Sequence, residues 1–259
     1  MKLIDLFEPA ANLLEGVRDP SIFKAVFMAG SPGSGKTTLA NRIFQFLGTT
    51  SAIGLKMSNI DTIEALFRRQ SRPGDYDVYW ERTRAQRQQW IEGRIGLLID
   101  GTGKQVDRVA HPKSLLESLG YECVMLYVTV PVEVATSRAA SRARIRPTDR
   151  QWKHFPANPQ EGAHYSYANE TYTYQGGEWV GRHLDPASVE RTHARVNANR
   201  DEFRAMFGDR FFEIDNTHPL LDSELSSLPE VRFLRRWASP GYQVRNPTAD
   251  AWRAQQLGR

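Results

Sequence analysis

The run of residues 30–37 constrains the fold more than any other part of the sequence. It reads Gly-Ser-Pro-Gly-Ser-Gly-Lys-Thr and fits the phosphate-binding pattern G-x-x-x-x-G-K-[ST]. Apolar residues 25–29 before it predict a buried strand, and the spacing of Leu39, Ile43 and Phe46 after it predicts a helix. A glycine-rich loop between a strand and a helix presents backbone N–H groups and a positive helix N-terminus to a polyphosphate.

This loop supplies most of a predicted nucleotide site. In the pattern, Lys36 reaches the β- and γ-phosphates and the Thr37 hydroxyl binds Mg²⁺. The alternative is a glycine-rich turn that binds no ligand. The predicted nucleotide-binding residues are Gly30, Ser31, Gly33, Ser34, Gly35, Lys36, Thr37 and Thr38.

Strand patterns alternate with helix patterns along most of the chain. Beyond the strand that precedes the loop, strands are predicted at 52–57, 95–99, 121–130 and 210–214. The alternation predicts an α/β protein with the P-loop kinase fold: a mostly parallel five-stranded sheet with helices on both faces. We expect one kinase domain over residues 1–235 and a loosely packed C-terminal tail over 236–259.

Composition limits the possible partners and the location of the chain. The 259 residues carry a net charge of +4, which favours an anionic partner. Cys123 is the sole cysteine, lies in a predicted buried strand, and excludes an internal disulfide. Asp5 and Glu8 interrupt the N-terminal apolar run that a signal peptide needs, and no run of about 18 apolar residues suggests a membrane span. We therefore expect a cytoplasmic protein.

Two carboxylates follow predicted strands on the same side of the sheet as the loop. Asp61 comes just after the second strand, where a carboxylate can accept the proton of an alcohol that attacks the γ-phosphate. The alternative is that Asp61 caps a helix predicted over 62–69. Asp100 ends the strand at 95–99 and is a candidate for the Mg²⁺ shell or for binding the acceptor, with a purely structural role as the alternative.

The remaining candidate site residues are basic. An arginine series follows the strand at 121–130, and charge on a transferred phosphoryl group needs such donors, so we expect an arginine-rich lid with Arg138, Arg142 and Arg144 as catalytic candidates. For each of these three arginines, the alternative is a solvated surface position without a catalytic role. Lys104 either binds an acceptor phosphate or faces solvent.

The segment 147–181 departs from the strand and helix pattern. It interleaves tyrosine, tryptophan, histidine and phenylalanine with proline, asparagine and glycine, and no period is sustained. Aromatic side chains in a basic protein can stack on unpaired bases, or they can pack a small satellite core. Both interpretations can hold for different residues.

These motifs together resemble P-loop kinases that act on small molecules and polynucleotides. The loop is similar to those of phage polynucleotide kinase and zeta-toxin kinases, and Asp61 in Asn59-Ile-Asp61 stands where those families keep their catalytic aspartate. The Asp-Gly-Thr-Gly-Lys run 100–104 is similar to the acidic element of zeta toxins. Residues 55–61, this run and the segment 189–216 resemble phage kinases of the 5-hydroxymethyluracil DNA kinase type. The resemblance covers residues 20–217 and departs from the group in the insertion 147–181.

The resemblance implies an ATP- and Mg²⁺-dependent phosphotransferase. Its implied partner is DNA carrying a modified pyrimidine, whose hydroxymethyl group receives the γ-phosphate, with Asn59, Asp100 and Lys104 as the substrate-binding candidates. The alternatives are a polynucleotide 5′-hydroxyl kinase and a UDP-N-acetylglucosamine kinase. An attached phosphatase is disfavoured because no D-x-D-x-T run is present. A nucleotide-dependent DNA-binding switch that only hydrolyses ATP is the alternative from a different class.

Overall fold

The computed structural model describes residues 17, 19–47, 50–59, 76–142, 144–167, 170–181 and 184–258. Asp61 and the helix predicted over 62–69 lie outside the described residues. The described strands are β1 (Lys24–Ala29), β2 (Phe46–Leu47), β3 (Thr50–Ser51), β4 (Lys56–Ser58), β5 (Leu97–Ile99), β6 (Glu122–Thr129), β7 (Arg144–Ile145), β8 (His164–Tyr167), β9 (Glu170–Gln175), β10 (Glu178–Val180) and β11 (Phe211–Asp215).

The described helices lie between these strands and after the last of them. They are α1 (Lys36–Phe44), α2 (Tyr76–Glu92), α3 (Asp107–Ser118), α4 (Val132–Arg142), α5 (Pro186–Ala198), α6 (Arg200–Phe207), α7 (Asp222–Ser227), α8 (Pro229–Ala238) and α9 (Pro247–Gln256). Short 3₁₀ turns occupy Arg150–His154 and Gly208–Arg210. In the parts of the chain that the structure describes, no helix is both long enough and apolar enough to cross a membrane.

The central sheet has the order β11-β6-β1-β5-β4-β3-β2. The first five strands in this order pair in parallel, which confirms the predicted five-stranded parallel core, and β3 and β2 extend it in antiparallel pairing. Every residue of β1 is buried, as expected for a central strand covered by helices on both faces. The fold is therefore α/β with a mixed, mostly parallel sheet.

Apolar side chains on the two faces of the sheet build two cores. On one face, Phe27 and Met125 of the sheet pack in a cluster with side chains of α3, α5 and α6, such as Phe203 of α6. On the other face, Val26 and Leu126 pack with side chains of α1 and α8, such as Trp237 of α8. Cys123 is buried in β6, as its sequence context predicted. Because both faces of the sheet carry apolar side chains, both are covered by helices.

The segment 147–181 is the main correction to the predicted organisation. It has regular structure: its strands β8, β9 and β10 join β7, which lies just before the segment, in a four-stranded antiparallel sheet of order β7-β10-β9-β8, which we call the β-insert. Phe155, Tyr172 and Trp179 are buried in its core together with Ile145. The interpretation as a satellite core is thus confirmed for these residues. The tyrosines 165, 167, 172 and 174 alternate with polar residues at the two-residue spacing of strands, but intervening turns hide the period in the sequence.

The C-terminal residues are also more closely packed against the core than predicted. The expectation of loose packing is wrong for helix α9, because Ala249 is fully buried and the Trp252 ring lies 5.4 Å from the Phe23 ring. Asn246 caps α9 by accepting from the Ala249 N–H, and its amide donates to the Gly120 carbonyl. Asn followed by Pro is a signal for the start of a helix, and here it begins a helix that packs on the core. The division into domains stays a prediction.

A buried lysine joins this C-terminal region to the central strand. The Lys24 side chain is fully buried and its Nζ donates to the Ser239 carbonyl at 3.0 Å, between the rings of Trp237 and Tyr242. Glu122 in the neighbouring strand accepts from the Trp237 indole and the Tyr242 hydroxyl. Burial lowers the pKa of Lys24 to about 8, although the charge of Glu122 opposes the shift.

Replacing Lys24 by Met should remove part of the pH dependence of stability. Between the folded pKa of about 8 and an unfolded value of about 10.4, the unfolded chain binds more protons, so rising pH stabilises the fold. Lys24 should add on the order of 1 kcal/mol to the free energy of unfolding between pH 7 and 9. Urea denaturation of wild-type and Lys24→Met protein at both pH values measures this increment. The exposed Lys153→Met is the control, and an equal increment in all three proteins would contradict the assignment.

Candidate nucleotide-binding site

The phosphate loop lies between β1 and α1, as its motif predicts. Gly33 and Gly35 have φ values of 82° and 81°, in the left-handed region that favours glycine. Gly35 directly precedes the first residue of α1, Lys36. The loop therefore turns sharply and directs the N-terminus of α1 to its own concave side, where a phosphate is favoured.

Each loop glycine also lies against another part of the chain. A Cβ on Gly33 would collide with the Ala135 carbonyl in α4, and one on Gly30 would come within 2.7 Å of the Val128 carbonyl. A Cβ on Gly35 would collide with the Asn216 amide. The loop can take this path only without side chains at these positions.

The lining of the loop fits a bound phosphate. Ser34 is fully buried, and its hydroxyl has no hydrogen-bond partner among the described residues. A buried hydroxyl without a partner is costly in free energy, and a phosphate oxygen would supply the missing acceptor. The Ser34 carbonyl is already used, because it accepts from the Asn216 amide at 2.8 Å. Ser31 is buried in the same loop.

The next three residues form the first turn of α1. Lys36 and Thr37 are partly exposed, and Thr38 is exposed. The first turn contains no acidic residue, so a phosphate there meets no opposing charge from α1 itself. The roles of Lys36 toward the phosphates and of Thr37 toward Mg²⁺ stay predictions from the motif. The described residues contain no cluster of three or more His, Cys, Asp or Glu side chains that could hold a metal ion without a nucleotide.

The predicted substrate-binding residues Asn59 and Asp100 are brought together. The Asn59 amide donates to Asp100 Oδ2 at 2.8 Å, and the Asp100 N–H donates to the Ser58 carbonyl at 3.2 Å. The Gly30 N–H donates to the Thr102 carbonyl at 3.0 Å, which joins the segment after Asp100 to the phosphate loop. Asn59 and Asp100 therefore stand at the carboxyl ends of β4 and β5, next to the loop. The position of Asp61 relative to them stays a prediction.

Lys104 is exposed at the end of this segment. The preceding Gly103 is fixed from two sides: its carbonyl accepts from the Asn199 amide at 2.9 Å, and a Cβ on it would come within 2.8 Å of the Ala29 side chain. Asn199 and Asn216 thus both support the site, and the sequence analysis assigned neither a role there. Each stands at the end of an element, a position typical of polar caps, but the sequence gives no indication of its distant partner.

The arginines of the predicted series lie in different parts of the structure. Arg138 in α4 donates to the carbonyls of Asn216 and Thr217 at 2.7 and 3.0 Å, which fastens α4 to the segment after β11. Arg144 lies in β7 of the β-insert, where its exposed side chain is 3.6 Å from Glu178. The side chain of Arg142 lies outside the described part of the structure. A catalytic role for any of the three, and the predicted lid, stay predictions.

A cleft of about 590 Å³ opens beside the phosphate loop. Its walls include Gly33, Thr38, Arg138, Gln151, Tyr172 and Asn216. These residues come from the loop, from elements that follow β6 and β11, and from the β-insert. Asn59 and Asp100 follow β4 and β5 instead. Because β1 lies between these two pairs of strands, the cleft and the Asn59–Asp100 pair flank the loop on opposite sides.

Replacing Gly33 by Ala should weaken nucleotide binding. The added methyl group would strain the positive φ and displace the Ala135 carbonyl, so the loop could no longer present its N–H groups together. Gly162 is a matched control, because its φ of 81° is nearly the same and a Cβ there meets nothing within 4 Å. Titration with a fluorescent ATP analogue should show at least a tenfold loss of affinity for Gly33→Ala, the equivalent of about 1.4 kcal/mol. Equal affinities of the two variants would contradict this account of the loop.

Comparison with known proteins gives a family match that includes the phosphate loop. The family model of AAA_33, described as an AAA domain, matches residues 26–160. No curated protein sequence matches the chain. A candidate kinase from Chloroflexus aurantiacus J-10-fl is 15% identical with a TM-score of 0.48, over 82% of this chain and 97% of that one. A protein of the PezAT chromosomal toxin-antitoxin system of Streptococcus pneumoniae is 15% identical with a TM-score of 0.43, over 99% and 90%. Because the family model spans just over half of the sequence and includes the phosphate loop, the chain belongs to the AAA_33 family.

Proposed function

We propose that the protein is an ATP- and Mg²⁺-dependent kinase that transfers the γ-phosphate to a hydroxyl group. One observation carries this proposal: the phosphate loop is hydrogen-bonded, through Gly30 and Thr102, to the segment that positions Asn59 and Asp100. A phosphate-binding loop next to polar side chains that can orient a hydroxyl group supports transfer to an alcohol.

The two substrates bind on opposite sides of the loop. The cleft on the β6 and β11 side takes the nucleoside of ATP, since it continues directly from Gly33 and Thr38. The acceptor binds on the β4 and β5 side, where Asn59 and Asp100 are available to orient it. The γ-phosphate then lies between donor and acceptor, which allows in-line transfer.

Each candidate residue has a defined part in the step. Asp61 accepts the proton of the attacking hydroxyl group while the oxygen of that hydroxyl bonds to the γ-phosphorus. The bond between the γ-phosphorus and the oxygen that bridges to the β-phosphate breaks, and ADP is the leaving group. Lys36 and the N–H groups of the loop stabilise the negative charge on the β- and γ-phosphates. Mg²⁺ supplies further charge neutralisation there, and Thr37 and Asp100 are the residues that would hold it, directly or through water.

For the acceptor, we propose the hydroxymethyl group of 5-hydroxymethyluracil in DNA. The resemblance of residues 55–61, 100–104 and 189–216 to that group of phage kinases supports this choice. The net charge of +4 is compatible with a polyanionic partner.

A panel of acceptors with labelled ATP tests the proposed substrate. We expect label on DNA that contains 5-hydroxymethyluracil and none on ordinary DNA with the same ends. Label confined to 5′-hydroxyl ends would identify an end kinase, and label on UDP-N-acetylglucosamine with DNA ignored would identify a sugar-nucleotide kinase. Hydrolysis of ATP with no labelled acceptor would favour the nucleotide-dependent switch.

Replacing Asp61 by Asn distinguishes a kinase from a switch. Loss of a general base should slow transfer about 100-fold or more, because the acceptor hydroxyl keeps its proton. A switch would keep most of its ATP hydrolysis. The matched control is Asp107→Asn, which removes an exposed carboxylate at the start of α3. Lys36→Ala does not discriminate, since both classes need Lys36 for nucleotide binding.

A further inference from the structure

Arg87 occupies a position in α2 where an apolar side chain is expected. Tyr79, Thr83 and Ile91 are buried on the face of α2 that packs against the sheet. Arg87 is four residues from both Thr83 and Ile91, so it belongs to the same face. Its side chain is only partly exposed. A guanidinium group on the packed face of a helix costs free energy unless an interaction compensates for the burial of its charge.

The contacts of Arg87 compensate only part of this cost. Its Nε donates to the Ser58 hydroxyl at 2.8 Å, and this hydroxyl is neutral. Within the described ranges, Arg87 forms no salt bridge, and its two terminal amino groups donate to no other side chain. Burial lowers the pKa of Arg87, and the nearby positive charge of Arg84 lowers it further. A second cation close to a partly desolvated guanidinium raises the local positive potential.

The Arg87 side chain reaches the acceptor side of the site. Ser58 is the last residue of β4 and is almost fully buried, so its contact with Arg87 Nε fixes the guanidinium at the carboxyl end of this strand. Ser58 directly precedes Asn59, and its carbonyl accepts from the Asp100 N–H. Arg87 is thus attached to the same strand end that positions the Asn59–Asp100 pair.

We propose that Arg87 binds a phosphate group of the acceptor, so that the acceptor is a phosphate-bearing molecule and not a neutral alcohol. This inference rests on the proposed kinase function. A guanidinium group held through Nε keeps its two terminal amino groups available for a bidentate contact with phosphate oxygens. The phosphate belongs either to a nucleic acid strand next to the modified base or to a nucleotide sugar. Arg87 is then a substrate-binding residue to which the sequence analysis assigned no role.

Binding measurements with Arg87→Gln test the proposal. The probes are a short single-stranded oligodeoxynucleotide with one 5-hydroxymethyluracil, UDP-N-acetylglucosamine, and the neutral nucleoside 5-hydroxymethyl-2′-deoxyuridine, each with Mg²⁺ and a non-hydrolysable ATP analogue. The matched control is Arg82→Gln, an exposed arginine in α2 about 140° around the helix from Arg87. Arg87→Lys keeps the charge without the guanidinium fork and should recover part of any loss. Thermal unfolding of each variant establishes that it is folded.

We expect Arg87→Gln to weaken binding of one anionic probe about tenfold or more, as for loss of a charged hydrogen bond. For the oligonucleotide, the slope of log K against log salt concentration should fall by about 0.7, the value for one lost phosphate contact on a single strand. Arg82→Gln and the neutral nucleoside should show neither effect. The anionic probe that responds identifies the source of the phosphate.

The proposal is overturned if Arg87→Gln binds both anionic probes as tightly as wild type does, or if the neutral nucleoside loses as much affinity as they do. A failure of the proposed function is distinguishable from this result. Absence of transfer to every hydroxyl would reject the kinase, while Arg87-dependent binding of an anion would remain measurable. Transfer at an unchanged rate by Arg87→Gln would keep the kinase and reject the role of Arg87.

Discussion

The close approach of the phosphate loop to the surrounding backbone is the constraint on which the site depends. Gly30, Gly33 and Gly35 lie against Val128, Ala135 and Asn216, and none of the three positions has room for a Cβ. The contacts come from the end of β6, from α4 and from the segment after β11. These elements hold the loop in one shape, directly before the N-terminus of α1. Such preorganisation lets charged groups stabilise a polyphosphate without rearranging when it binds.

The position of β1 in the sheet then divides the site into two halves. Strands β6 and β11 lie on one side, where the cleft lined by Arg138 and Asn216 opens. Strands β5 and β4 lie on the other side, where Asn59 and Asp100 meet and where Ser58 contacts Arg87. Because the loop follows β1 itself, a phosphate held in it stands between the two halves. The proposed donor and acceptor subsites follow from this order of strands.

Local sequence signals predicted much of the architecture. The loop and the five parallel strands were predictable, because each depends on neighbouring residues and on a short period. The β-insert and α9 were not predicted. The short strands of the β-insert are separated by turns, and α9 gains its stability from distant contacts such as that between Trp252 and Phe23. Distant contacts leave no periodic signal in the sequence.

The same division applies to the candidate site. The sequence by itself determined the phosphate loop and placed Asn59 and Asp100 after strands, since the glycine spacing and the polar residues at strand ends are local features. Only the tertiary structure decided which groups the arginines contact. Arg138 fastens α4 to the segment after β11, Arg144 lies in the β-insert, and Arg87 reaches the end of β4. An arginine side chain is long enough to contact solvent, a backbone carbonyl or a ligand. Its partner therefore depends on which elements the fold brings within its reach.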